Sequence, residues 1–413
     1  MPPDSLDDRF ARALQDQEHN HLLRSRRAVR PIDAVHLEID GTPYVNFASN
    51  NYLGLTHHPR VIEAVHRAAE DFGVGAAASP LITGYSAAHA AAEAALAKWK
   101  GTEAAVLLPS GYQANHAAIQ TIAHVGGVAR GARAGRGDGA GIGGRRASVR
   151  FIIDKLAHAS LLDALMRFGD FDRFPHNDLD HLERLLLRND AGDPPPHDGN
   201  FNVVITESIF SMDGDAAPLR ELAALKKKHP FFLLLDEAHG SGVYGPHGAG
   251  YAAELGLANI VDAYIVTLSK ALGCAGGAIC GTKNFCTAVA NFGRAYIYST
   301  AVPPTTAAAC EAVLTVMRDE PWRQQRLRAI TQRVRTRLNL HTGDSPIIPI
   351  LLGSESAAME AAGGLSRERL LVLPIRPPTV PRGTSRLRIT LSCEHSDAEI
   401  DHLAALLLTL QHV

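Results

Sequence analysis

One lysine stands where its amine could act as a nucleophile. Lys270 follows the apolar run Ala263–Leu268 and precedes the small-residue segment 271–277. Burial of a lysine side chain disfavours its charged form and lowers its pKa. The uncharged amine is the form that reacts with an aldehyde to give a Schiff base. Most lysines face solvent, so the position of this residue, and not its type, makes it the candidate. We predict that Lys270 carries a cofactor as a Schiff base.

Acidic and imidazole side chains follow other apolar runs. Asp236 comes after the run Phe231–Leu235, where its carboxylate needs a cationic partner. A protonated pyridine nitrogen is one such partner, while a helix N-cap or a structural salt bridge is the plainer interpretation of a single aspartate. A magnesium site of the nucleotide-binding type requires a G-x-x-x-x-G-K-[ST] loop, which the sequence lacks. His158 and His239 also follow apolar runs, and two imidazoles in one crevice favour a functional role over a structural one.

A turn suited to phosphate binding precedes a predicted helix. Ser110-Gly111-Tyr112 follows the run Ala104–Leu108, and the N–H groups at a helix N-terminus favour an anion. Thr267 and Ser269, beside the lysine, offer hydroxyl groups. A Schiff-base amine, an aspartate for a pyridine nitrogen and a phosphate turn together predict a pocket for pyridoxal 5′-phosphate (PLP).

These side chains need a scaffold that brings the ends of several strands together. Between residues 50 and 300, short apolar runs alternate with helical segments. This pattern indicates an α/β fold with a mainly parallel sheet, which binds ligands at the carboxyl ends of its strands. The predicted strands are Ala104–Leu108, Val149–Asp154, Phe201–Glu207, Phe231–Glu237, Ala263–Leu268 and Gly276–Gly281.

The chain is predicted to divide into three parts. Residues 1–49 hold an amphipathic helix over 5–28, ended by Pro31, and a small hairpin; residues 50–300 form the large PLP-binding α/β domain. Residues 301–413 form a smaller α+β domain that begins with a long helix at Pro304. The low-complexity segments 126–146 and 190–199 are predicted to be surface loops.

Composition limits the possible functions. The 413 residues carry a formal net charge of −2, which provides no global attraction to nucleic acid or to a membrane surface. No long apolar run is present, and the five cysteines form no C-x-x-C pair, so we expect no metal site and no disulfide framework. We therefore expect a cytoplasmic protein with reduced thiols.

A series of motifs along nearly the whole chain resembles, in the same order, the motifs of the α-oxoamine synthases. These enzymes belong to the aspartate-aminotransferase-like (fold type I) PLP-dependent transferases, so the resemblance implies that fold, PLP as cofactor and a homodimer with active sites at the subunit interface. The matching motifs are Asn46-Phe-Ala-Ser-Asn-Asn-Tyr-Leu-Gly-Leu55, Thr83-Gly-Tyr-Ser86, Pro109-Ser-Gly-Tyr-Gln-Ala-Asn115, His158-Ala-Ser160, Glu207-Ser-Ile-Phe-Ser-Met-Asp-Gly-Asp215, Asp236-Glu-Ala-His-Gly-Ser-Gly242, Thr267-Leu-Ser-Lys270 and Tyr298-Ser-Thr300.

The resemblance implies a role for each matching residue. The implied catalytic residues are Lys270, His158, Asp236 and His239. The implied cofactor-binding residues are Gly111, Tyr112, His158, Glu207, Ser211, Asp236, His239, Thr267 and Lys270. Asn50 and Arg388 are implied to bind the amino-acid carboxylate, and Arg24 and Thr379 to bind the acyl substrate. The resemblance also implies that His158 stacks on the cofactor ring and contacts substrate, and that His239 and Ser211 contact the phenolic oxygen of the ring.

Within this family, the segment 375–388 resembles the members that act in biotin biosynthesis. That likeness implies a decarboxylative condensation of L-alanine with pimeloyl-CoA, or with a pimeloyl carrier protein. The alternatives are another α-oxoamine synthase, such as a glycine C-acetyltransferase or a secondary-metabolism acyltransferase, and a non-catalytic PLP-fold protein. Several features depart from the family pattern: Asn51, Leu268, the apparent insertion at 126–146 and the short stretch 363–371.

Overall fold

The computed structural model describes residues 5–20, 22–127, 149–169, 171–188, 201–340 and 343–411. The predicted surface loops at 126–146 and 190–199 lie outside these ranges, apart from residues 126 and 127. The helices of the described part are α1 Leu6–His19, α2 Pro59–Phe72, α3 Ala87–Lys100, α4 Gly111–Val125, α5 Ala159–Met166, α6 Leu179–Leu187, α7 Leu219–Lys228, α8 Tyr251–Glu254, α9 Lys283–Phe292, α10 Arg294–Ile297, α11 Pro304–Asp319, α12 Trp322–Arg337, α13 Glu355–Arg367 and α14 Asp397–Gln411. The strands are β1 Arg30–Pro31, β2 His36–Ile39, β3 Thr42–Asn46, β4 Ala104–Leu108, β5 Val149–Asp154, β6 Asp172–Phe174, β7 Phe201–Glu207, β8 Phe232–Asp236, β9 Ala263–Thr267, β10 Gly277–Gly281, β11 Ile347–Gly353, β12 Leu370–Leu371, β13 Leu373–Ile375 and β14 Ser385–Thr390.

A seven-stranded sheet in the order β4-β10-β9-β8-β7-β5-β6 forms the centre of the fold. Its strands are apolar throughout because both faces are covered. Along β8, Leu233 and Leu235 pack into one hydrophobic core while Leu234 packs into the core on the opposite face. The predicted α/β fold with a mainly parallel sheet is therefore confirmed.

The carboxyl ends of four neighbouring strands meet at one edge of this sheet. β5, β7, β8 and β9 pair in parallel, and they end at Asp154, Glu207, Asp236 and Thr267. Strand β10 runs antiparallel to both of its neighbours, and a short connection of residues 268–276 joins it to β9. Lys270 lies in this connection. The edge predicted to bind a ligand thus collects side chains from separate segments of the chain.

The C-terminal region contributes a second, antiparallel sheet in the order β11-β14-β13. The N-terminal hairpin of β2 and β3 also joins this region, because Val45 in β3 pairs in parallel with Leu370 in β12. The division of the chain at residues 49/50 and 300/301 stays a prediction.

The first helix is shorter than the sequence pattern predicts. Helix α1 starts at a capping box formed by Ser5 and Asp8, and it ends at His19 and not at residue 28. The backbone N–H and the side-chain amide of Asn20 both bond to the carbonyl of Asp16, which closes the last turn. Pro31, predicted to end the helix, lies instead in β1. In the described part of the chain, no helix is both long and apolar enough to cross a membrane.

Candidate active site

Lys270 extends from the β9–β10 connection toward His239. Its Nζ lies 3.0 Å from Nε2 of that imidazole. Burial lowers the pKa of Lys270 to about 8, although the charges of Asp236 and Glu207 oppose the shift. About a tenth of this amine is therefore unprotonated at pH 7, far more than for a solvent-exposed lysine, and the unprotonated form is the one that acts as a nucleophile or a base.

Asp236 closes β8 and is 4% exposed. Its Oδ2 accepts a hydrogen bond of 2.9 Å from the side-chain amide of Asn115, and its Oδ1 accepts one of 2.9 Å from the backbone N–H of Ala238. These two donors fix the orientation of the carboxylate at the strand end. The geometry suits a carboxylate that must face one ring nitrogen of a planar ligand.

A hydrogen-bonded chain links Asp236 to His158. The amide of Asn115 also donates to Ser160 Oγ over 2.9 Å, and that hydroxyl lies 2.7 Å from His158 Nδ1. His158 caps the N-terminus of α5, where its ring nitrogen accepts the Ser160 N–H. The contacts with Ser160 fix the position of the imidazole. Burial lowers the pKa of His158, which favours the neutral form of the ring.

His239 lies between a tyrosine and the lysine. Its Nδ1 is 2.6 Å from the hydroxyl of Tyr52, which is fully buried. Burial, with the charges of Lys270 and Arg388, lowers the pKa of His239 well below its usual value. Both nitrogens of this neutral ring are aligned by partners, so its orientation is fixed.

Glu207 ends β7 directly beside Asp236, with which it is in register across the sheet. Its side chain is 2% exposed, and its Oε1 has no hydrogen-bond partner in the described part. Burial and the charge of Asp236 raise the pKa of Glu207 well above its usual value. Two adjacent negative charges are therefore disfavoured at this edge of the sheet.

The turn before α4 forms a cradle for a small anion. Gly111 and Tyr112 begin the helix, so their N–H groups have no acceptor within it. A Cβ on Gly111 would lie 2.3 Å from Thr267 Oγ1, so only glycine allows this close approach. The Tyr112 side chain turns away: its hydroxyl donates to Asp163, and its ring stacks on His116 at 4.5 Å. Phosphate binding by Tyr112 would therefore use its backbone.

Arg388 in β14 supplies a buried cation opposite the strand ends. Its guanidinium donates to the carbonyl of Ser211 at 2.6 Å, to Thr390 Oγ1 at 3.0 Å and to Asn50 Oδ1 at 3.1 Å. All three acceptors are uncharged, and within the described ranges Arg388 forms no salt bridge. A buried cation without a carboxylate partner is suited to an anionic ligand.

The remaining predicted residues lie at different distances from this centre. Ser211 enters the site through its carbonyl, which accepts a hydrogen bond from Arg388, and the role of this residue at the cofactor ring stays a prediction. Arg24 and Thr379 are exposed, and neither takes part in the hydrogen bonds that build the described site. Their acyl-binding roles stay predictions.

Sequence reasoning assigned no role to three residues of the site. Asn115, Tyr52 and Ser160 hold Asp236, His239 and His158, respectively. All three stand inside the motifs that resemble the α-oxoamine synthases, and this was the only signal that could have marked them.

The collected groups fit PLP. A buried carboxylate suits the pyridine nitrogen, a lysine amine suits the aldehyde, and the glycine-lined helix start suits the phosphate. Three buried polar atoms that have no hydrogen-bond partner among the described residues border the same strand ends: Glu207 Oε1, Asn115 Oδ1 and Ser208 Oγ.

Comparison with known proteins agrees with this interpretation. The family model described as aminotransferase class I and II matches residues 42–407. The chain belongs to this family. An 8-amino-7-oxononanoate synthase of Cellvibrio japonicus (strain Ueda107) is 38% identical over 408 residues, covering 97% of this chain and 95% of that protein. One of Anaeromyxobacter dehalogenans (strain 2CP-1 / ATCC BAA-258) is 41% identical over 396 residues, covering 94% and 92%. The predicted membership of the α-oxoamine synthases is confirmed.

Solved structures show the same fold. A serine palmitoyltransferase of Sphingomonas wittichii aligns with a TM-score of 0.84 and 28% identity, covering 99% of this chain and 98% of that one. Another solved structure of that kind, SPT with PLP, aligns with a TM-score of 0.85 and 27% identity, covering 99% of both chains. An 8-amino-7-oxononanoate synthase of Francisella tularensis aligns with a TM-score of 0.70 at 22% identity, over 90% of this chain and 99% of that one, which supports the fold alone. The predicted PLP-dependent fold type I transferase is confirmed.

Proposed function

We propose that the protein condenses L-alanine with a pimeloyl thioester, either pimeloyl-CoA or a pimeloyl carrier protein. The products are 8-amino-7-oxononanoate, CO₂ and the free thiol, and the reaction belongs to biotin biosynthesis. One observation carries the proposal: relatives named 8-amino-7-oxononanoate synthase match nearly the whole chain at 37–41% identity. The site holds the amine, carboxylate and guanidinium that this chemistry needs.

PLP, when bound, supplies an aldehyde that captures amines and a ring that accepts the electron pair released at the amino-acid Cα. Lys270 would hold the cofactor through Nζ. Once the amine of alanine has displaced Nζ from the aldehyde, the freed Lys270 amine, whose pKa burial lowers to about 8, would remove the Cα proton of alanine. The 3.0 Å contact with His239 orients that amine.

Asp236 would keep the pyridine nitrogen protonated. It is suited to this because Asn115 and Ala238 each donate to one of its oxygens, which fixes the orientation of the carboxylate. His158, anchored through Ser160 to the same asparagine, would cover one face of the ring. The phosphate would lie at Gly111, Tyr112 and Thr267, where the helix N-terminus favours negative charge.

Arg388 and Asn50 would bind the alanine carboxylate. The guanidinium is buried, and its bonds to neutral oxygens fix its plane before substrate arrives. A fixed fork can bind a carboxylate through two parallel hydrogen bonds and orient the Cα–H bond toward the base. Arg24 and Thr379 would contact the acyl chain.

The structural comparison favours one other candidate, a transferase that uses L-serine and a palmitoyl thioester. A serine palmitoyltransferase structure aligns over 99% of this chain with a TM-score of 0.84 and 28% identity. Both reactions need the same amine, ring and carboxylate site. They differ in the amino-acid side chain and in the length and charge of the acyl chain.

The deciding experiment measures thiol release and CO₂ from purified PLP-loaded protein. The substrate pairs are alanine with pimeloyl-CoA, serine with palmitoyl-CoA, and glycine with acetyl-CoA, with Lys270→Ala as the inactive control. We expect the highest kcat/KM for alanine with pimeloyl-CoA. Turnover of another pair without turnover of alanine and pimeloyl-CoA would refute the proposal. A wild-type protein that stays colourless after incubation with PLP would refute the cofactor assignment itself.

We also propose a homodimer located in the cytoplasm. The segment Tyr298–Thr300 resembles the family segment that reaches the neighbouring phosphate site, and the Tyr298 side chain is 72% exposed in the single chain. All five cysteines are free, which suits a reducing compartment. Analytical ultracentrifugation tests the dimer, and a single-chain mass would contradict it.

A further inference from the structure

His176 occupies an unusual position between two carboxylates. Its Nδ1 lies 3.0 Å from Asp154 Oδ1, and its Nε2 lies 2.7 Å from Asp215 Oδ2. A neutral imidazole has only one N–H, so bonds to two carboxylates require the doubly protonated ring. Burial lowers the pKa of His176, but the two carboxylates outweigh this effect and raise it to about 10. The ring is therefore a cation that bridges two anions.

The first of these anions belongs to the rigid sheet. Asp154 is the last residue of β5, and it is 1% exposed. Its oxygens also accept the backbone N–H groups of Leu156 at 2.7 Å and Asn177 at 2.9 Å. These bonds tie the turn that carries His176 to the end of the strand, so the imidazolium has a fixed base.

The second anion belongs to the loop 208–217. At its start, the N–H of Ser208 donates to the carbonyl of Asp236 at 2.9 Å. Further along, the ring of Phe210 packs edge-on against His176, with centroids 4.3 Å apart. Asp215 receives a second bond of 3.1 Å, from the Asn177 amide. His176 and its neighbour thus hold the loop from the side of the large sheet.

The same loop contacts the C-terminal sheet on its other side. Asp213 pairs with Arg386, and the carbonyl of Ser211 accepts the Nε–H of Arg388 at 2.6 Å. The bond to Ser211 is one of three that fix the plane of the Arg388 guanidinium. The position of the loop therefore sets the position of the cation facing the site.

We propose that His176 is a positioning residue for substrate binding. As an imidazolium it fixes the loop 208–217 against β5, and through the Ser211 carbonyl it orients Arg388. This inference rests on the proposed function, because it takes Arg388 as the group that binds the amino-acid carboxylate. It implies that a side chain with no substrate contact controls amino-acid affinity more than cofactor affinity.

The test compares His176→Gln with the matched control His229→Gln. Glutamine can bond to one carboxylate but carries no charge, and His229 pairs with Glu183 outside the site at 3.0 Å. L-Alanine is titrated into the PLP-loaded proteins by absorbance, and backbone amide exchange is followed over residues 208–217. We expect His176→Gln to weaken alanine binding about tenfold and to speed exchange in the loop, with PLP content unchanged. The control is expected to match the wild type in all three.

A second variant covers the case in which His176→Gln does not fold. Asp215→Asn removes the more exposed of the two carboxylates and leaves the buried pair of His176 and Asp154 intact. We expect the same selective loss of alanine affinity, but a smaller loss than His176→Gln causes. Unchanged alanine affinity and loop exchange in a folded variant would overturn the inference. So would an equal loss of PLP and alanine binding, which indicates a structural role only. Failure of the wild type to bind alanine would instead count against the proposed function.

Discussion

A buried ion pair next to the site allows a quantitative test of the fold. Lys100 at the end of α3 pairs with Glu237, the residue after Asp236, and their side chains are 1% and 0% exposed. The Lys100 amine also donates to the carbonyl of Ala249 at 2.6 Å, and Glu237 Oε1 accepts the Ala252 N–H at 2.9 Å. We expect Lys100→Met to lower the free energy of unfolding by about 3–5 kcal/mol, because it leaves a buried carboxylate without its cation.

The second substitution, Glu237→Gln, is the informative one. Glutamine keeps an acceptor for the Ala252 N–H but carries no charge. In the wild-type background, Glu237→Gln leaves the Lys100 ammonium buried without a carboxylate partner. The substitution should therefore lower the free energy of unfolding by a similar amount, about 3–5 kcal/mol. In the Lys100→Met background it removes the unpaired charge, and the double variant should lie within about 1–2 kcal/mol of the wild type.

Urea denaturation of the PLP-loaded protein, followed by tryptophan fluorescence, measures these differences. Trp99 is well placed as a reporter, since the Lys100 amine lies 5.1 Å from its ring centroid. We expect Glu237→Gln to destabilise the wild type and to stabilise the Lys100→Met variant. Equal destabilisation of both backgrounds would show that the two charges do not depend on each other, and it would refute the ion pair as the source of the stability.

Three further predictions concern the site. Asn115→Ala removes a donor to Asp236, and we expect PLP to bind about tenfold more weakly in an absorbance titration; unchanged affinity would contradict the role of this amide. Arg388→Lys keeps the charge but loses the fork, so the KM for L-alanine should rise at least about tenfold with the KM for the acyl donor little changed. In cofactor-free protein, burial lowers the pKa of Lys270 from 10.5 to about 8, so the folded state binds fewer protons than the unfolded chain between these values. Relative to Lys270→Met, wild-type stability should therefore rise by roughly 3 kcal/mol from pH 7 to pH 10.5, as thermal unfolding at each pH can show.

The central strands could be predicted closely because burial on both faces makes them continuously apolar. The predicted bounds of β4, β5 and β7 match those observed. The predictions for β9 and β10 are one residue too long at one end, and the prediction for β8 is one residue too long at both ends. Strand β6, Asp172–Phe174, was missed because it is a short edge strand with one buried side chain. The predicted length of helix α1 was too great. The side chains of this helix are exposed, so the apolar spacing that was used to extend the prediction beyond His19 does not correspond to packing against a core.

Only part of the candidate site could be predicted from the sequence. Lys270, Asp236 and His239 stand at strand ends, and the parallel sheet brings strand ends together. The contacts of Asn115 with Asp236 and of Tyr52 with His239 join residues far apart in the chain, and no local pattern indicates such pairs. The same is true of His176, whose position between two carboxylates depends on the packing of three segments.

The pairing of β3 with β12 has a consequence for synthesis of the protein. Val45 pairs with His36 on one side, but its partner on the other side is Leu370. Asn50, a few residues after β3, bonds to Arg388. While the ribosome is still making the middle of the chain, the N-terminal hairpin therefore lacks a neighbour along one edge. The large sheet can form earlier from its own segments, but the substrate-binding side of the pocket must wait for the last strands to emerge. A nascent chain stalled before residue 370 should therefore capture PLP more readily than it captures alanine.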